Sequence, residues 1–264
     1  MQKRVIAYPA LVLAVFAGVY AILIYKTQTR VVRTPKPAPA ASPDQGIVIT
    51  TKDAVSSTAS ENGPRQAVPE KAALVVPFVS ESPEGSWKGP WINGCEEASI
   101  AMVHFFYAGQ SEVSRLEAQN YMQDLFAAED ATWGSNANTD AARTEKLINV
   151  NTDFKAEIKD NPTGEDIKRE IRAGHPVISL HYGKTLANPN IPFARSGSYY
   201  HMLVVTGYDD TTNEFIVNDD GDRKEGAGHR YGYATFMQSL HDYDYADKLT
   251  DGPPRVIFTR QKSD

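Results

Sequence analysis

Cys95, the only cysteine in the chain, stands where a turn feeds an apolar helix, and that position can turn a thiol into a nucleophile. The unpaired N–H groups and positive dipole end at a helix start favour an anion and lower a thiol's pKa. Glu96 and Glu97 follow directly and push the other way, because nearby carboxylates disfavour a thiolate. A cysteine so placed needs a cationic partner before it can attack a carbonyl. Taken alone, Cys95 is more readily a buried, inert core residue.

His201 is the partner that residue type and position offer. It opens the strand-like run His201-Met202-Leu203-Val204-Val205-Thr206-Gly207-Tyr208, and Glu214-Phe215-Ile216-Val217-Asn218 follows after the turn cluster Asp209 to Asn213. Apolar runs joined by such a cluster read as a hairpin. A turn centred on Asp210 sets His201 opposite Asp219, with Cβ atoms about 4.5–5.5 Å apart. A carboxylate there can orient an imidazole and stabilise its charged form. A register slip of one residue would offer Asn218 instead, on the opposite face. His181 is the rival base, ranked below His201. His104 reads as an interior or groove residue, His175 as a turn residue, and His229 and His241 as polar-surface residues. No sequence argument by itself brings Cys95 next to His201.

The acidic stretch Asn218-Asp219-Asp220-Gly221-Asp222 hints at calcium, yet it lacks the spacing and closing glutamate of an EF-hand loop and reads as a solvated turn. One cysteine can form neither an internal disulfide nor a cysteine-rich zinc site. The chain has no HExxH, no CxxC and no Gly-rich phosphate loop, so zinc hydrolysis and nucleotide chemistry have no foothold. A net charge of -6 argues against a nucleic-acid partner, which calls for a basic face.

The elements that must hold these residues are legible in part. The 264 residues suffice for one good-sized domain plus appendages, or for two small domains. After a tail over residues 1–4, Val5 to Tyr25 is an uncharged apolar run of 21 residues, long enough to cross a bilayer as a helix. It is longer than a signal-peptide core and ends in Ile22-Leu23-Ile24-Tyr25 without a small-residue cleavage site, which favours an uncleaved membrane anchor. Residues 26–71, opening with a Pro/Ala-rich tract, read as an extended stalk. Lys26, Arg30, Arg33 and Lys36 outnumber Lys3 and Arg4, which on a strict count puts the C-terminal side in the cytoplasm. The stalk argues the reverse, for a domain held outside the cell, and that orientation is the expectation.

The folded domain is expected over 72–264, as a monomer that folds as a soluble unit from near Ala72. Leu74 to Val79 reads as a first strand, with Pro77 at its edge or end. Cys95 to Tyr107 reads as a helix, because Ala98, Ala101, Met102, Phe105 and Phe106 form one apolar stripe between Asn93-Gly94 and Gly109. Further helices are expected over Arg115 to Ala127, Asp140 to Leu147, Thr163 to Ala173 and Tyr231 to His241. Strands are expected over Pro176 to Leu180, His201 to Tyr208, Glu214 to Asn218 and Arg255 to Thr259. Helices first and strands later is the order of an α+β fold.

At this point a resemblance enters. Gly94-Cys95-Glu96-Glu97-Ala98-Ser99-Ile100-Ala101-Met102 resembles the nucleophile helix of the bacteriocin-processing (double-glycine leader) peptidase-like branch of papain-fold cysteine peptidases. His201 to Asp210 resembles that family's histidine strand, and Phe215-Ile216-Val217-Asn218-Asp219 its following strand. The likeness runs from about Val75 to Phe258. It implies a papain-like α+β fold, with the nucleophile helix packed on an antiparallel sheet, Cys95 as nucleophile, His201 as base and Asp219 as orienter. It implies a thiol hydrolase of peptide or related amide bonds, with a peptide or protein substrate and no cofactor. Two positions depart from the pattern. Asp220 stands where proline is usual, and Glu81 stands where a glutamine amide usually helps form the oxyanion hole. Glu81 and Asn93 are therefore the oxyanion-hole candidates. The expectation is that Glu81 points away while Asn93 or another donor of the loop, such as Trp87 or Trp91, replaces it. Glu81 also favours the alternative of a catalytically silent papain-like module that binds peptide or envelope polymer. Acyl transfer in place of hydrolysis is a third reading.

Overall fold

The apolar stripe forms the helix it predicts. In a computed structural model that describes residues 68–191, 200–246 and 252–262, helix α1 spans Cys95–Tyr107. The expected tail, membrane anchor and nearly all of the stalk lie outside the described residues. No described helix is long and apolar enough to cross a membrane. Helix α1 stops where Gly109 takes a φ of 76°, a left-handed value that favours glycine.

Helix α2, Arg115–Trp133, starts where Ser114 Oγ accepts the N–H of Glu117 at 3.2 Å. It runs beyond the expected Ala127 and ends at Gly134. Helix α3 spans Ala141–Asn151, with Asp140 Oδ1 accepting from Arg143 N at 2.8 Å. Helix α4, Gly164–Arg172, opens on a reciprocal cap between Thr163 and Asp166. The short α5, Gly183–Leu186, and α6, Tyr233–Ser239, complete the described α-helices, and a 3-10 turn over Gly89–Asn93 leads into α1.

The described strands are β1 Lys71–Ala73, β2 Phe154–Asp160, β3 Val177–His181, β4 His201–Asp209, β5 Glu214–Asn218, β6 Ala227–Gly232 and β7 Arg255–Gln261. They form one sheet in the order β2-β7-β3-β4-β5-β6, with every pairing antiparallel. β4 is its centre. β3 pairs with residues 201–205 of β4, and β1 pairs with 207–209. At that second contact a Cβ on Gly207 would come 2.7 Å from the Ala72 carbonyl oxygen, so the strands can approach only over glycine.

Successive side chains of a strand face opposite sides, and both sides of β4 are covered. Met202 and Val204 join a core with Ile100, Met102 and Phe105 of α1, Met122 of α2 and Leu147 of α3. Leu203 and Val205 join a second core with Ile167 and Ile171 of α4 and Phe236 of α6. Each such side chain contributes about 1.5–3 kcal/mol on burial. The sheet therefore carries α1 rigidly against the strand that begins with His201.

Three expectations need correction. Leu74 to Val79 is not a strand; after β1 only Leu74 N continues the ladder, donating to Thr206 O at 2.7 Å. Pro77 has no N–H to extend it. The segment expected as a helix from Tyr231 begins as β6, whose Gly-rich, largely exposed sequence hides it, and the helix starts at Tyr233. The β4–β5 hairpin pairs Asp209 with Glu214 and shifts register between Val205 and Gly207, so its pairing ends at Val204 with Asn218. His201 thus has no direct β5 partner. The turn is a four-residue loop closed by Asn213 at φ 59°, which the centred-turn assumption does not capture.

Candidate active site

The site begins at the first residue of α1. Gly94 precedes Cys95, and a Cβ there would come 2.8 Å from the Glu81 carbonyl oxygen. Only glycine lets the segment before the helix run this close to the helix start. That segment is fixed from the other end of the domain: Glu81 N donates to Asp220 O at 3.1 Å, and Ser80 Oγ donates to the same oxygen at 3.2 Å. Glu81 is 2 % exposed and turns its carboxyl inward. Glu81, Cys95 and His201 each present a donor atom within 4.8 Å of the other two. The expectation that Glu81 points away is therefore overturned: its carboxyl is enclosed beside Cys95 and His201. Asn93 lines a cavity of about 430 Å³ together with Ser135, Arg143, Tyr243 and Tyr245.

His201 opens β4, and its Nε2 meets Asp219 Oδ1 at 2.7 Å. Asp219 lies just past β5 and is itself held, its Oδ2 accepting from Tyr231 OH at 2.5 Å and from Asn188 Nδ2 at 3.0 Å. The carboxylate reaches the ring from beyond the paired strand, not across it. Asn218 is turned elsewhere, with Nδ2 donating to Val76 O at 3.1 Å and Oδ1 accepting from Gly228 N at 3.2 Å. The engagement of Nε2 with Asp219 leaves Nδ1 as the ring nitrogen open to a further partner.

Charge in this buried space is unevenly shared. Burial and the charges of Glu96, Glu81 and Asp220 push the Cys95 thiol well above its ordinary value. The thiol is 3 % exposed and donates to Glu96 Oε2 at 3.0 Å, while Glu96 Oε1 accepts from Thr139 N at 2.7 Å. Burial first, and then the neighbouring carboxylates, hold the thiol protonated. Burial works against a charged His201, but the Asp219 charge and hydrogen bond overcome it and hold the ring above its usual pKa. Burial likewise opposes the Asp219 charge, yet His201, Tyr231 and Asn188 keep its carboxyl below the usual range. Glu81 is pushed up to about 8, chiefly by burial, against the opposing pull of His201. At neutral pH it is mostly a carboxylic acid, which can donate a hydrogen bond as a glutamine amide does. Asp220 is also raised, by burial and by Glu81 and Asp219, while its Oδ2 accepts from Ser99 Oγ at 3.2 Å.

The remaining candidates have structural duties. His181 pairs with His201 across β3 and β4, and its two nitrogens contact Ser239 Oγ and Ser179 Oγ, each at 2.8 Å. Burial holds it well below the usual histidine pKa. His104 stacks on Tyr121 at 4.2 Å between ring centroids. The stretch read as a solvated turn is buried, with Asp219, Asp220 and Asp222 all enclosed. Asp222 Oδ1 accepts from Lys224 N and Glu225 N and so shapes the turn that returns the chain to β6. Glu96 as the thiol's acceptor, and Tyr231 and Asn188 as anchors of Asp219, escape sequence reasoning. Glu96 is adjacent in sequence, but the direction of its side chain is set by Thr139, far along the chain.

An α+β fold with a cysteine at the head of a helix, packed on an antiparallel sheet that carries a histidine, is that of the papain-like cysteine peptidases. The model of the Peptidase_C39 like family matches residues 74–250, and the chain belongs to that family. It is a cysteine peptidase. Among solved structures, a Bacillus anthracis protein described as a C39-like peptidase shares 18% identity, with 74% of this chain and 99% of that chain covered at a TM-score of 0.47. No curated protein matches.

Proposed function

We propose that the domain cleaves peptide or related amide bonds with Cys95 as nucleophile, His201 as general base and Asp219 as orienter. The observation that carries this reading is the 2.7 Å contact between His201 Nε2 and Asp219, with Cys95 near the same ring. Neutral His201 takes the thiol proton on the nitrogen that Asp219 does not hold, and sulfur attacks the carbonyl. The proton then passes to the leaving amine, and water releases the acyl group from the thioester. The developing oxyanion meets the N–H of Cys95, which at the first helical position has no partner within the helix. Neutral Glu81 is the second donor. At rest the thiol proton is given to Glu96, so the productive arrangement turns Sγ from Glu96 toward His201. Residues 5–25 anchor the chain in a membrane, and the stretch from residue 26 to the start of β1 holds the domain on its outer side. The uncharged apolar run and the Pro-rich tract support that arrangement.

The test is peptide turnover by wild type, Cys95→Ala and Asp219→Asn. Cys95→Ala is expected to abolish turnover. Asp219→Asn is expected to lower kcat by up to about 10⁴. It also moves the acid limb of the pH profile down, because Asp219 is what raises the His201 pKa. Turnover that survives Cys95→Ala, or an acid limb unmoved in Asp219→Asn, overturns the assignment.

A further inference from the structure

We propose that the same pocket is a binding site for a thiophilic divalent cation, zinc foremost, with Cys95 Sγ, a ring nitrogen of His201 and the carboxylate of Glu81 as ligands. The three donor atoms already lie within 4.8 Å of one another. Zinc bonds of about 2.3 Å to sulfur, 2.0–2.1 Å to nitrogen and 2.0–2.2 Å to oxygen place tetrahedral ligands roughly 3.3–3.6 Å apart. Small side-chain rotations therefore close the site.

Two further observations point to a cation. Glu81 Oε1 is buried and has no hydrogen-bond partner among the described residues. A buried acceptor left unpaired is costly, and a cation in this pocket would satisfy it. His201 meets Asp219 through Nε2, so its Nδ1 can carry the lone pair that a cation needs. A carboxylate behind a ligating imidazole is the usual support of a zinc histidine, and Tyr231 and Asn188 hold this carboxylate in turn. Thiolate and imidazole select zinc over magnesium or calcium. Three protein ligands leave a fourth position for water.

A second cluster, His201 with Asp219 and Asp220, shares the histidine. It offers only oxygen beside the ring and would strip Asp219 from Nε2, so the Cys95 set is the stronger one. On binding, the cation replaces the proton of the thiol and that of any neutral Glu81, and both protons leave to solvent. Metal occupies nucleophile and base together, so the loaded form is catalytically silent. That consequence rests on the peptidase mechanism proposed above; the binding itself does not.

The test uses the full chain and cations alone. Zinc affinity is measured by competition with a chromophoric chelator, and cobalt is added to look for a thiolate charge-transfer band in the near ultraviolet. The expected result is one cation per chain, with the cobalt band lost in Cys95→Ala. Glu81→Gln, which keeps shape and removes the ligand charge, is expected to weaken zinc binding at least about tenfold. As a check that needs no variant, zinc should slow alkylation of Cys95 in the wild-type protein. Absence of binding, equal affinity in Glu81→Gln, or a loss confined to Asp220→Asn overturns the assignment. Turnover measured separately in excess chelator distinguishes the two readings. Turnover without zinc binding sinks only the metal site, and zinc binding without turnover sinks only the peptidase mechanism.

Discussion

Replacing Glu81 by glutamine tests how a carboxyl can stand in an oxyanion hole. The pKa of Glu81 is raised to about 8 because the group is buried. About nine-tenths of it is then neutral at pH 7 and about one-tenth at pH 9. An oxyanion donor is worth roughly 10²–10³ in rate, so the ionised fraction contributes almost nothing to turnover. Wild-type kcat/KM should therefore fall at alkaline pH in proportion to the neutral fraction. Glu81→Gln carries a donor that does not titrate. The two proteins should agree within about threefold at pH 7, and the variant should lead by about tenfold at pH 9. The assay is cleavage of a fluorogenic peptide between pH 6 and 10, in excess chelator. A wild-type profile that stays flat through pH 8, or a variant with the same alkaline limb, refutes the neutral-donor argument. A variant a hundredfold faster at pH 7 would show instead that Glu81 is ionised there and suppresses the enzyme.

Three other perturbations reach neighbouring parts of the argument. Native Cys95 should react with iodoacetamide near neutral pH more slowly than a free thiol, because burial and the Glu96 charge both hold it protonated, and Glu96→Gln should speed the reaction; an unchanged rate removes Glu96 as a restraint. Gly94→Ala drives a methyl into the Glu81 carbonyl and should cost about 1–3 kcal/mol, read as a lowered Tm; an unaltered Tm shows that the 79–82 segment can yield. Glu97 and Glu129 lie near one another in the core, and burial chiefly holds both above the usual carboxylate range, Glu129 at about 8. Because these folded pKa values are raised, the stabilisation they give is complete below the unfolded value and is lost as pH rises toward 8. Glu129→Gln should flatten the fall in Tm between pH 5 and 8, and a slope equal to wild type refutes that origin.

What the sequence made legible follows from where the physics is local. Helix α1 has the predicted bounds because its apolar stripe, its entering glycine and its terminating glycine all lie within 16 contiguous residues, 94–109. The Thr163–Asp166 cap marks α4 equally well. Strand β2 escapes, although Phe154, Ala156 and Ile158 alternate with Lys155, Glu157 and Lys159, because it sits among helices and pairs with β7 from the far end of the chain. The nearness of Asp219 to His201 is reached from the sequence by an incorrect route. The register shift at Thr206 removes the cross-strand pairing, and the turn beyond β5 restores the contact. The inward course of Glu81 depends on Asp220, 139 residues away, and no local pattern announces it.

The hydrogen bonds from Glu81 and Ser80 to the carbonyl of Asp220, with that of Asn218 to Val76, also bear on when the protein acquires its chemistry. The residues that would hold an oxyanion leave the ribosome early, and the carboxylate that would tune the base leaves some 140 residues later. Contacts so distant in sequence form slowly, because the intervening loop must close before they return any energy. Until Asp219 and Asp220 arrive, Cys95 has neither its base in order nor its neighbouring loop in place. On the mechanism proposed above, a growing or truncated chain carries the thiol without an ordered base, so hydrolysis would have to await the arrival of Asp219 and Asp220.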